Sequence, residues 1–233
     1  MIKVKNFFFK VVALLPLKKN SVRIKNKNFI NFCGKPLFKW TLDTLKSVKE
    51  IDKIIINTDA KNKLIANGLV ESDRVIIRER KSKICGNDVS MNLIIDDDIR
   101  HEYSDIYLMT HTTNPLLSKQ TILDCIRMFL KKTEKQKFDS LFTVNKFQTR
   151  FYDCNGKPKN HKANNLIKTQ NLDPWFEENS NLYIFTRNSF KKNSSRIGNK
   201  PILFTTPKIE SIDIDTSEDL ELASIILKNK KNK

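Results

Sequence analysis

Short apolar segments rich in β-branched residues alternate along the chain with segments whose apolar residues recur at helical spacing. The apolar runs predict strands at 11–16, 52–59, 74–79, 105–110 and 140–145. The helical spacing predicts helices at 37–48, 61–67, 91–99 and 121–130. Such alternation indicates βαβ units, so the expected fold class is α/β: a mostly parallel sheet flanked by helices on both faces.

The last third of the chain departs from this alternation of strand and helix patterns. Segment 146–178 is polar, aromatic and turn-rich, which predicts an arm inserted into the core. Beyond it we expect strands at 181–187, 201–206 and 209–215, then a closing helix at 217–227 with Ser217 as its N-cap. Residues 228–233 predict a basic, disordered tail. No repeat or linker divides residues 1–233, so the sequence predicts a single domain.

Composition narrows the class of protein. The chain has 233 residues, of which 39% are hydrophobic, enough for a folded core. No apolar run reaches the ~18 residues of a membrane helix, and Lys10 interrupts the apolar N-terminus where a signal peptide would continue. Four cysteines without a CxxC pair, together with three histidines, argue against a zinc site. We therefore expect a cytoplasmic protein with free thiols.

The net charge of +17 allows a polyanionic partner. Most of the 43 basic residues are lysines, and asparagine is also abundant. An AT-rich genome produces this bias at surface positions that tolerate substitution. A basic nucleic-acid-binding protein stays open as an alternative. No zinc-finger or RNP signature supports it, and acidic residues follow the strands where a nucleic-acid groove would be basic. We therefore expect no nucleic-acid or membrane partner.

A polar loop follows the first long strand, where open α/β sheets collect their ligands. Segment 17–28 is rich in cations and small polar residues, which can wrap a triphosphate with backbone N–H groups and positive charge. The segment lacks both the GxxxxGK[ST] of a P-loop and the GxGxxG of a dinucleotide fold. By composition alone, a solvated basic loop is equally compatible.

The segment IDIDTSEDLELA, residues 212–223, carries the second chemical signal. On a strand, Asp213 and Asp215 would point to one face, where two carboxylates repel unless a cation lies between them. Magnesium takes one or two protein carboxylates and completes its shell with water and phosphate oxygens. Ordinary surface acids at a strand end are the alternative. Asp59 and Asp88 also follow predicted strands, which favours a site.

The ordered set of motifs resembles the acylneuraminate cytidylyltransferase family, whose members activate sialic acid and related keto-sugar acids as CMP sugars. The resemblance covers about residues 11–227 and rests on these segments: ALLPLKKNSVRIKNKN (13–28), GKPL (34–37), NTDA (57–60), NDVSMN (87–92), HTTNPL (111–116), ENSNLYI (178–184) and IDIDTSEDLELA. It implies a Rossmann-like nucleotidyltransferase fold, CTP and an acidic sugar as substrates, and Mg²⁺ as cofactor. It also implies a homodimer assembled through the 146–178 arm.

The resemblance assigns roles on the nucleotide side. Lys18, Arg23, Asp213 and Asp215 are the expected catalytic residues, and Asp213 and Asp215 the expected metal ligands. Arg23 lies one place after the family's usual lysine, a position that Val22 occupies here. The expected nucleotide-binding residues are Leu15, Leu17, Lys18, Asn20, Ser21, Arg23, Lys27, Asn28, Asp59, Asn87 and Asp88.

On the acceptor side the motif matches are less regular. The resemblance implies that the sugar is bound by His111, Thr113, Arg150, Lys168, Gln170, Asn179 and Tyr183. His111 stands where most sialate enzymes have Gln, and Thr169 stands where they have an Arg for the sugar carboxylate. Another acid therefore remains an alternative acceptor: 3-deoxy-manno-octulosonic acid, a legionaminic- or pseudaminic-type sugar, or a phosphonate. A non-catalytic family member is a further alternative.

Overall fold

The computed structural model describes residues 1–4, 7–133 and 138–231. Its helices are Leu37–Ser47 (α1), Lys61–Ala66 (α2), Met91–His101 (α3), Lys119–Thr133 (α4), Arg187–Asn193 (α5) and Ser217–Lys231 (α6). Its strands are Ile2–Val4 (β1), Phe7–Phe9 (β2), Val11–Leu14 (β3), Asn31–Phe32 (β4), Lys35–Pro36 (β5), Lys53–Thr58 (β6), Val75–Glu79 (β7), Ile106–Thr110 (β8), Ser140–Phe147 (β9), Trp175–Thr186 (β10) and Pro201–Thr205 (β11).

A seven-stranded sheet in the order β11-β9-β10-β8-β3-β6-β7 forms the centre of the fold. Its neighbouring strands run parallel, except that β10 is antiparallel to both β8 and β9. The sequence prediction of a mostly parallel sheet with flanking helices is confirmed. The carboxyl ends of β3, β6, β7 and β8 meet at one edge, where the ligand site of such sheets normally lies.

Both faces of the sheet are covered, which explains why β3 is apolar without interruption. Val11 and Ala13 pack into one core cluster, whereas Val12 and Leu14 pack into another on the opposite face. The first cluster takes in α1 and α4, and the second takes in α3. Because both faces of a central parallel strand are buried, the side chains that point to either face are apolar. Ser90 caps α3 by accepting a hydrogen bond from the Asn92 amide.

The predicted strand at 209–215 is wrong. This segment is a turn followed by irregular chain. The amide of Ile214 donates to the carbonyl of Thr113 at 2.9 Å, and its side chain packs under α6 in a third apolar cluster. The alternation of Ile and Asp therefore arises because the isoleucines anchor this segment to α6 and to the loop after β8. The segment does not pair with a neighbouring strand in the described structure.

The closing helix also differs from its predicted limits. Thr216, one residue before the predicted cap Ser217, caps α6: its hydroxyl accepts from the Asp219 amide, and the Asp219 carboxylate accepts from the Thr216 amide. The helix continues to Lys231, so residues 228–231 are helical and the predicted disordered tail is wrong for them. Residues 232–233 lie outside the described chain.

The predicted arm at 146–178 extends from the central sheet. β9 and β10 continue their antiparallel ladder to Phe147 and Trp175, and irregular chain joins them. β10 begins six residues before the strand predicted at 181–187, because Glu177 and its neighbours pair with β9. A bulge with Ser180 at φ 55° interrupts the ladder.

Among the described residues, no helix is long and apolar enough to cross a bilayer.

Candidate active site

A cavity of about 360 Å³ lies at the carboxyl-terminal edge of the sheet. Its walls come from the loops after β3, β7 and β8, the start of α3, and the segment before α6. The lining residues are Pro16, Lys18, Ser21, Val22, Arg23, Lys27, Asn28, Arg80, Gly86, Asn87, Val89, Met91, Ile94, His111, Thr112, Thr113 and Asp215. Gly86 has φ 127°, a conformation that favours glycine in the turn after β7.

The loop after β3 is fixed by hydrogen bonds to neighbouring loops. Lys18 Nζ donates to Asn87 Oδ1 at 2.9 Å, joining the loops after β3 and β7. The Asn28 amide donates to the Lys18 carbonyl at 2.9 Å and accepts from the Thr112 hydroxyl at 2.6 Å. The structure therefore brings the predicted residues Lys18, Asn28 and Asn87 together. Thr112, which the sequence did not single out, orients Asn28.

Arg80 is a cavity residue that the sequence analysis missed. Its Nε donates to Asn57 Oδ1 at 2.8 Å, and an Nη donates to the carbonyls of Leu17 and Asn57 at 3.2 and 2.8 Å. Burial lowers the pKa of Arg80 from its usual value, and Asp59 opposes this shift; an arginine nevertheless stays charged. Arg80 thus adds a fixed cation to the wall and holds the start of the loop after β3.

Asp215 faces the cavity between two cations. Its Oδ1 accepts from Lys27 Nζ at 2.9 Å, and its Oδ2 forms an ion pair with Arg23. Although burial alone would raise the pKa of Asp215, the hydrogen bond and charge of Lys27, with Arg23, hold it below its usual value. Lys27 is buried and also donates to the Ile214 carbonyl at 2.5 Å. The predicted residues Arg23, Lys27 and Asp215 therefore form one charged cluster.

Asp213 precedes Asp215 by two residues but does not itself line the cavity. Its Oδ1 is buried and has no hydrogen-bond partner among the described residues. Burial raises the pKa of Asp213, a hydrogen bond from Thr113 opposes the rise, and the charge of Asp215 adds to it. No group of three or more His, Cys, Asp or Glu within the described chain could hold a metal ion. An Asp213–Asp215 pair still fits magnesium, which needs few carboxylates when phosphate oxygens complete its shell.

His111 follows β8 directly and forms part of the cavity wall. Burial lowers the pKa of His111 to about 3, and the charges of Arg196 and Lys27 act in the same direction. The imidazole is therefore neutral near pH 7. A group with such a low pKa is a poor proton acceptor at neutral pH, but it can exchange hydrogen bonds with a ligand.

The comparison with known proteins agrees with this arrangement. A family model described as cytidylyltransferase matches residues 12–231, which include every wall of the cavity. The chain belongs to the cytidylyltransferase family. It is thus a nucleotidyltransferase that uses CTP, as the sequence resemblance implied.

Curated relatives of this cytidylyltransferase are distant but align over most of its length. The pseudaminic acid cytidylyltransferase of Campylobacter jejuni is 21% identical, over 94% of this chain and 97% of that protein. The CMP-N,N'-diacetyllegionaminic acid synthase of Legionella pneumophila is 24% identical, with coverage of 94% and 96%. The N-acylneuraminate cytidylyltransferase of Escherichia coli is 23% identical over 96% of this chain, which matches 53% of that longer protein.

Solved structures support the same fold. A structure of CMP:2-keto-3-deoxy-manno-octonic acid synthetase aligns with TM-score 0.67 at 12% identity, covering 95% of this chain and 99% of the other. A 4-diphosphocytidyl-2C-methyl-D-erythritol synthase from Anaerococcus prevotii aligns with TM-score 0.66 at 15% identity, covering 94% and 96%. At these identities the likeness establishes the nucleotidyltransferase fold alone.

Several residues expected to bind the nucleotide do not line the cavity of this cytidylyltransferase. Leu15 and Leu17 are core side chains whose amides bond to β6. Asn20 and Asp88 are exposed outside the lining. Asp59 accepts from the Lys19 amide at 2.6 Å and borders a separate cavity of about 220 Å³. Ser21 and Lys27, by contrast, lie in the cavity wall.

The predicted acceptor residues divide into separate groups. His111 and Thr113 line the cavity. Asn179 is buried and donates to Asn145 and Thr206, so its role in the chain is structural. Tyr183 is also buried, and its hydroxyl donates to Glu178.

The remaining predicted acceptor residues belong to the arm. Arg150 donates to the Ile167 carbonyl at 2.7 Å, and the Gln170 carbonyl accepts from the Gln148 amide at 2.8 Å. Lys168 is exposed. None of Arg150, Lys168 and Gln170 lines the cavity of the described chain.

Proposed function

We propose that the protein transfers the cytidylyl group of CTP to a sialic-acid-like 2-keto sugar acid, giving the CMP sugar and pyrophosphate. The observation that carries this proposal is a single cavity that joins a cationic loop, at Lys18 and Arg23, to the carboxylate of Asp215. Relatives of similar length act, by their names, on pseudaminic and legionaminic acids. We infer a cytoplasmic enzyme, since its nucleotide substrate is a cytoplasmic metabolite.

The nucleotide is held by the loops after β3 and β7. Lys18 and Arg23 bind the β- and γ-phosphates, where their charges offset the negative charge that develops on departing pyrophosphate. Ser21 and the Gly86–Asn87 turn supply polar groups to the same cavity. Arg80 fixes the beginning of the loop through the Leu17 carbonyl, so the cations are positioned before the nucleotide arrives.

Asp213 and Asp215 hold Mg²⁺ in this proposal. The unpartnered buried oxygen of Asp213 and the cavity-facing carboxylate of Asp215 are the ligands that a hard cation prefers. A magnesium ion held by these two carboxylates would supply positive charge to offset that of the nucleotide phosphates. Nucleotide binding draws Arg23 towards the phosphates, which frees Asp215 Oδ2 from its ion pair.

The reaction is a displacement at the α-phosphorus of CTP. The anomeric hydroxyl oxygen of the sugar acid forms the new P–O bond, the bond to the bridging oxygen of the β-phosphate breaks, and the hydroxyl proton passes to solvent. Phosphoryl transfers of this kind depend mainly on positioning and charge neutralisation. Neutral His111 contributes a hydrogen bond to the acceptor side of the cavity and is not required as the base.

The arm makes the enzyme a two-fold dimer. Tyr152, Leu166, Ile167, Trp175 and Phe176 are exposed in the single chain, an amount of apolar surface that is typical of a partner interface. Arg150 and Lys168 lie on this arm, away from the cavity of their own chain. We therefore propose that one of these cations reaches the acceptor site of the other chain.

A substrate screen tests the proposed function. Purified protein receives Mg²⁺, CTP and one acid at a time: N-acetylneuraminic, pseudaminic, legionaminic or 3-deoxy-manno-octulosonic acid, or a phosphonate. Released pyrophosphate is measured, with Asp215→Asn as the control. We expect one of the sugar acids to give turnover with CTP and not with ATP or GTP. No release with any acid, together with a mobility shift on nucleic acid at physiological salt, would favour the nucleic-acid alternative.

A further inference from the structure

Arg196 presents a positioned guanidinium on the face of the sheet that carries Met109 and Tyr183. The group lies 3.8 Å from the centre of the Tyr183 ring, and one Nη donates to the Tyr183 hydroxyl at 3.0 Å. The other Nη lies 3.8 Å from Met109 Sδ. A guanidinium stacked on an aromatic ring and held by several contacts has lost most of its rotational freedom. Such preorganisation is typical of an arginine that binds an anion.

The register of β8 and β10 places this cation next to the cavity. Tyr183 pairs with Met109, so their side chains share one face, and His111 follows two positions after Met109. The Arg196 amide donates to Asn92 Oδ1 at 3.3 Å, next to Met91 at the start of α3. Met91 and His111 both line the cavity. Arg196 therefore lies where the cavity wall continues from His111 along β10.

The charge of Arg196 is only partly compensated. Within the described chain, its one ion pair is with Glu178, at 3.3 Å from Nη. The same Glu178 oxygen accepts from the Tyr183 hydroxyl, and the Glu178 side chain is about half exposed. Two cations of the cavity wall, Lys27 and Arg23, are more closely compensated, since both pair with Asp215. Arg196 also acts on His111, whose pKa it lowers, so its field reaches the cavity.

We propose that Arg196 binds the carboxylate of the acid acceptor from within the same chain. This inference rests on the proposed cytidylyltransferase function and deepens it. The arm cations of this chain lie away from its own cavity. Arg196 supplies a cation to the acceptor from the same chain, close enough to His111 to act on its charge. Glu178 orients the guanidinium before the acceptor binds. The acceptor's carboxylate then replaces Glu178 as the partner of Arg196, because a planar guanidinium can bind a carboxylate through two parallel hydrogen bonds.

Steady-state kinetics of Arg196→Gln test this assignment, with whichever sugar acid the wild type converts. We expect the KM for the acid to rise about 10- to 100-fold, the loss typical of a charge-assisted hydrogen bond. The KM for CTP should stay within about twofold, because Arg196 is not among the wall residues that include Lys18 and Arg23. Arg196→Lys keeps the charge but not the paired donors, so we expect an intermediate KM for the acid.

Arg187→Gln is the matched control. Arg187 also stacks near a tyrosine, with its guanidinium 5.3 Å from the Tyr103 ring, and an Nη donates to the Tyr107 hydroxyl at 3.2 Å. It lies outside the cavity lining, so its loss should lower the thermal midpoint and leave the KM for the acid unchanged. If Arg196→Gln does not fold, the acid KM of Arg196→Lys decides in its place.

The outcomes separate the two proposals. A wild type that releases no pyrophosphate with any acid overturns the proposed function and this assignment with it. A wild type that turns over, combined with an unchanged acid KM in the folded Arg196 variant, overturns only the role of Arg196. Equal rises in the acid and CTP KM values also overturn it, because they indicate a general structural defect. A selective rise in the acid KM supports it.

Discussion

Arg23 and Asp215, both in the cavity wall, form an ion pair, so that the cation proposed to bind phosphate and the carboxylate proposed to bind Mg²⁺ neutralise each other. Lys27 takes the other oxygen of Asp215 from its buried position. Of these cations, Arg23 is the more exposed and can move to an incoming triphosphate, whereas Lys27 is confined. A nucleotide that draws Arg23 to its phosphates therefore also changes the charge around Asp215.

The first prediction follows from this pairing. Arg23→Ala should lower kcat/KM for CTP by at least about tenfold, because it removes a cation that acts on the departing pyrophosphate. Lys25→Ala is the matched control, since Lys25 is exposed in the same loop but absent from the cavity wall. Pyrophosphate release measures both variants. Equal losses would mean that the loop acts only as diffuse positive charge.

The second prediction concerns the metal ligands. Asp213→Asn and Asp215→Asn should each lower kcat by about 100-fold or more while the thermal midpoint changes little, since neither is a core side chain. Chelation of Mg²⁺ should abolish wild-type turnover, and added Mg²⁺ should restore it. Asp219→Asn, which alters the cap of α6, is the control for stability. Activity near wild type in either ligand variant would contradict the assignment.

Local pattern was sufficient to predict much of the fold and part of the site. Uninterrupted apolar runs such as β3 have few structural solutions other than a buried parallel strand, and the cationic loop after it is contiguous in sequence. Arg80 and Arg196 were missed because their roles depend on distant partners: Asn57 and the Leu17 carbonyl for Arg80, Tyr183 for Arg196. No local motif records such contacts.

The wrong strand at 209–215 has a similar cause. Alternating Ile and Asp residues satisfy the two-residue period of a strand, yet Ile212 and Ile214 pack beneath α6, and the Ile214 amide bonds to a loop. Periodicity reports which side chains are buried, and it cannot report whether a neighbouring strand is present. The aspartates nevertheless lie close enough for the charge of Asp215 to raise the pKa of Asp213.

The third prediction concerns pH and stability through Asp98. This side chain is 1% exposed and accepts from Asn57 at 2.7 Å; burial raises its pKa from 3.8 to about 7. The folded state therefore holds a proton that the unfolded state has lost between about pH 4 and pH 7. The contribution of Asp98 to stability is complete below about pH 4 and falls as the pH rises through 7.

Asp98→Asn isolates this contribution from other titrating groups. The thermal midpoint of wild type minus that of Asp98→Asn should decrease steadily between about pH 4.5 and pH 8, because only wild type loses the proton. Asp96→Asn, which removes a partly buried carboxylate of the same helix, is the control for the loss of one charge. Differential scanning fluorimetry in matched buffers measures all three proteins. A flat difference for Asp98→Asn would contradict a raised pKa.

The last prediction concerns assembly through the arm. Light scattering at micromolar concentration should give twice the 27.2 kDa chain mass. Trp175→Asp and Phe176→Asp should shift the protein towards monomer and lower turnover, because charged groups would then enter an apolar interface. Val70→Asp is the control, since Val70 is exposed at 79% far from the arm in sequence. A fully active wild-type monomer would contradict the dimer.

Mixing inactive chains shows whether the arm serves its own site or its neighbour's. An Asp215→Asn chain has a damaged cavity but an intact arm, and an Arg150→Ala chain has the reverse. If the arm reaches across, each mixed dimer contains one site with both groups intact and one with neither. Equimolar random exchange then yields about a quarter of wild-type activity, because half the dimers are mixed and half their sites are complete. If Arg150 acts only on its own chain, every site lacks one group and mixing restores nothing.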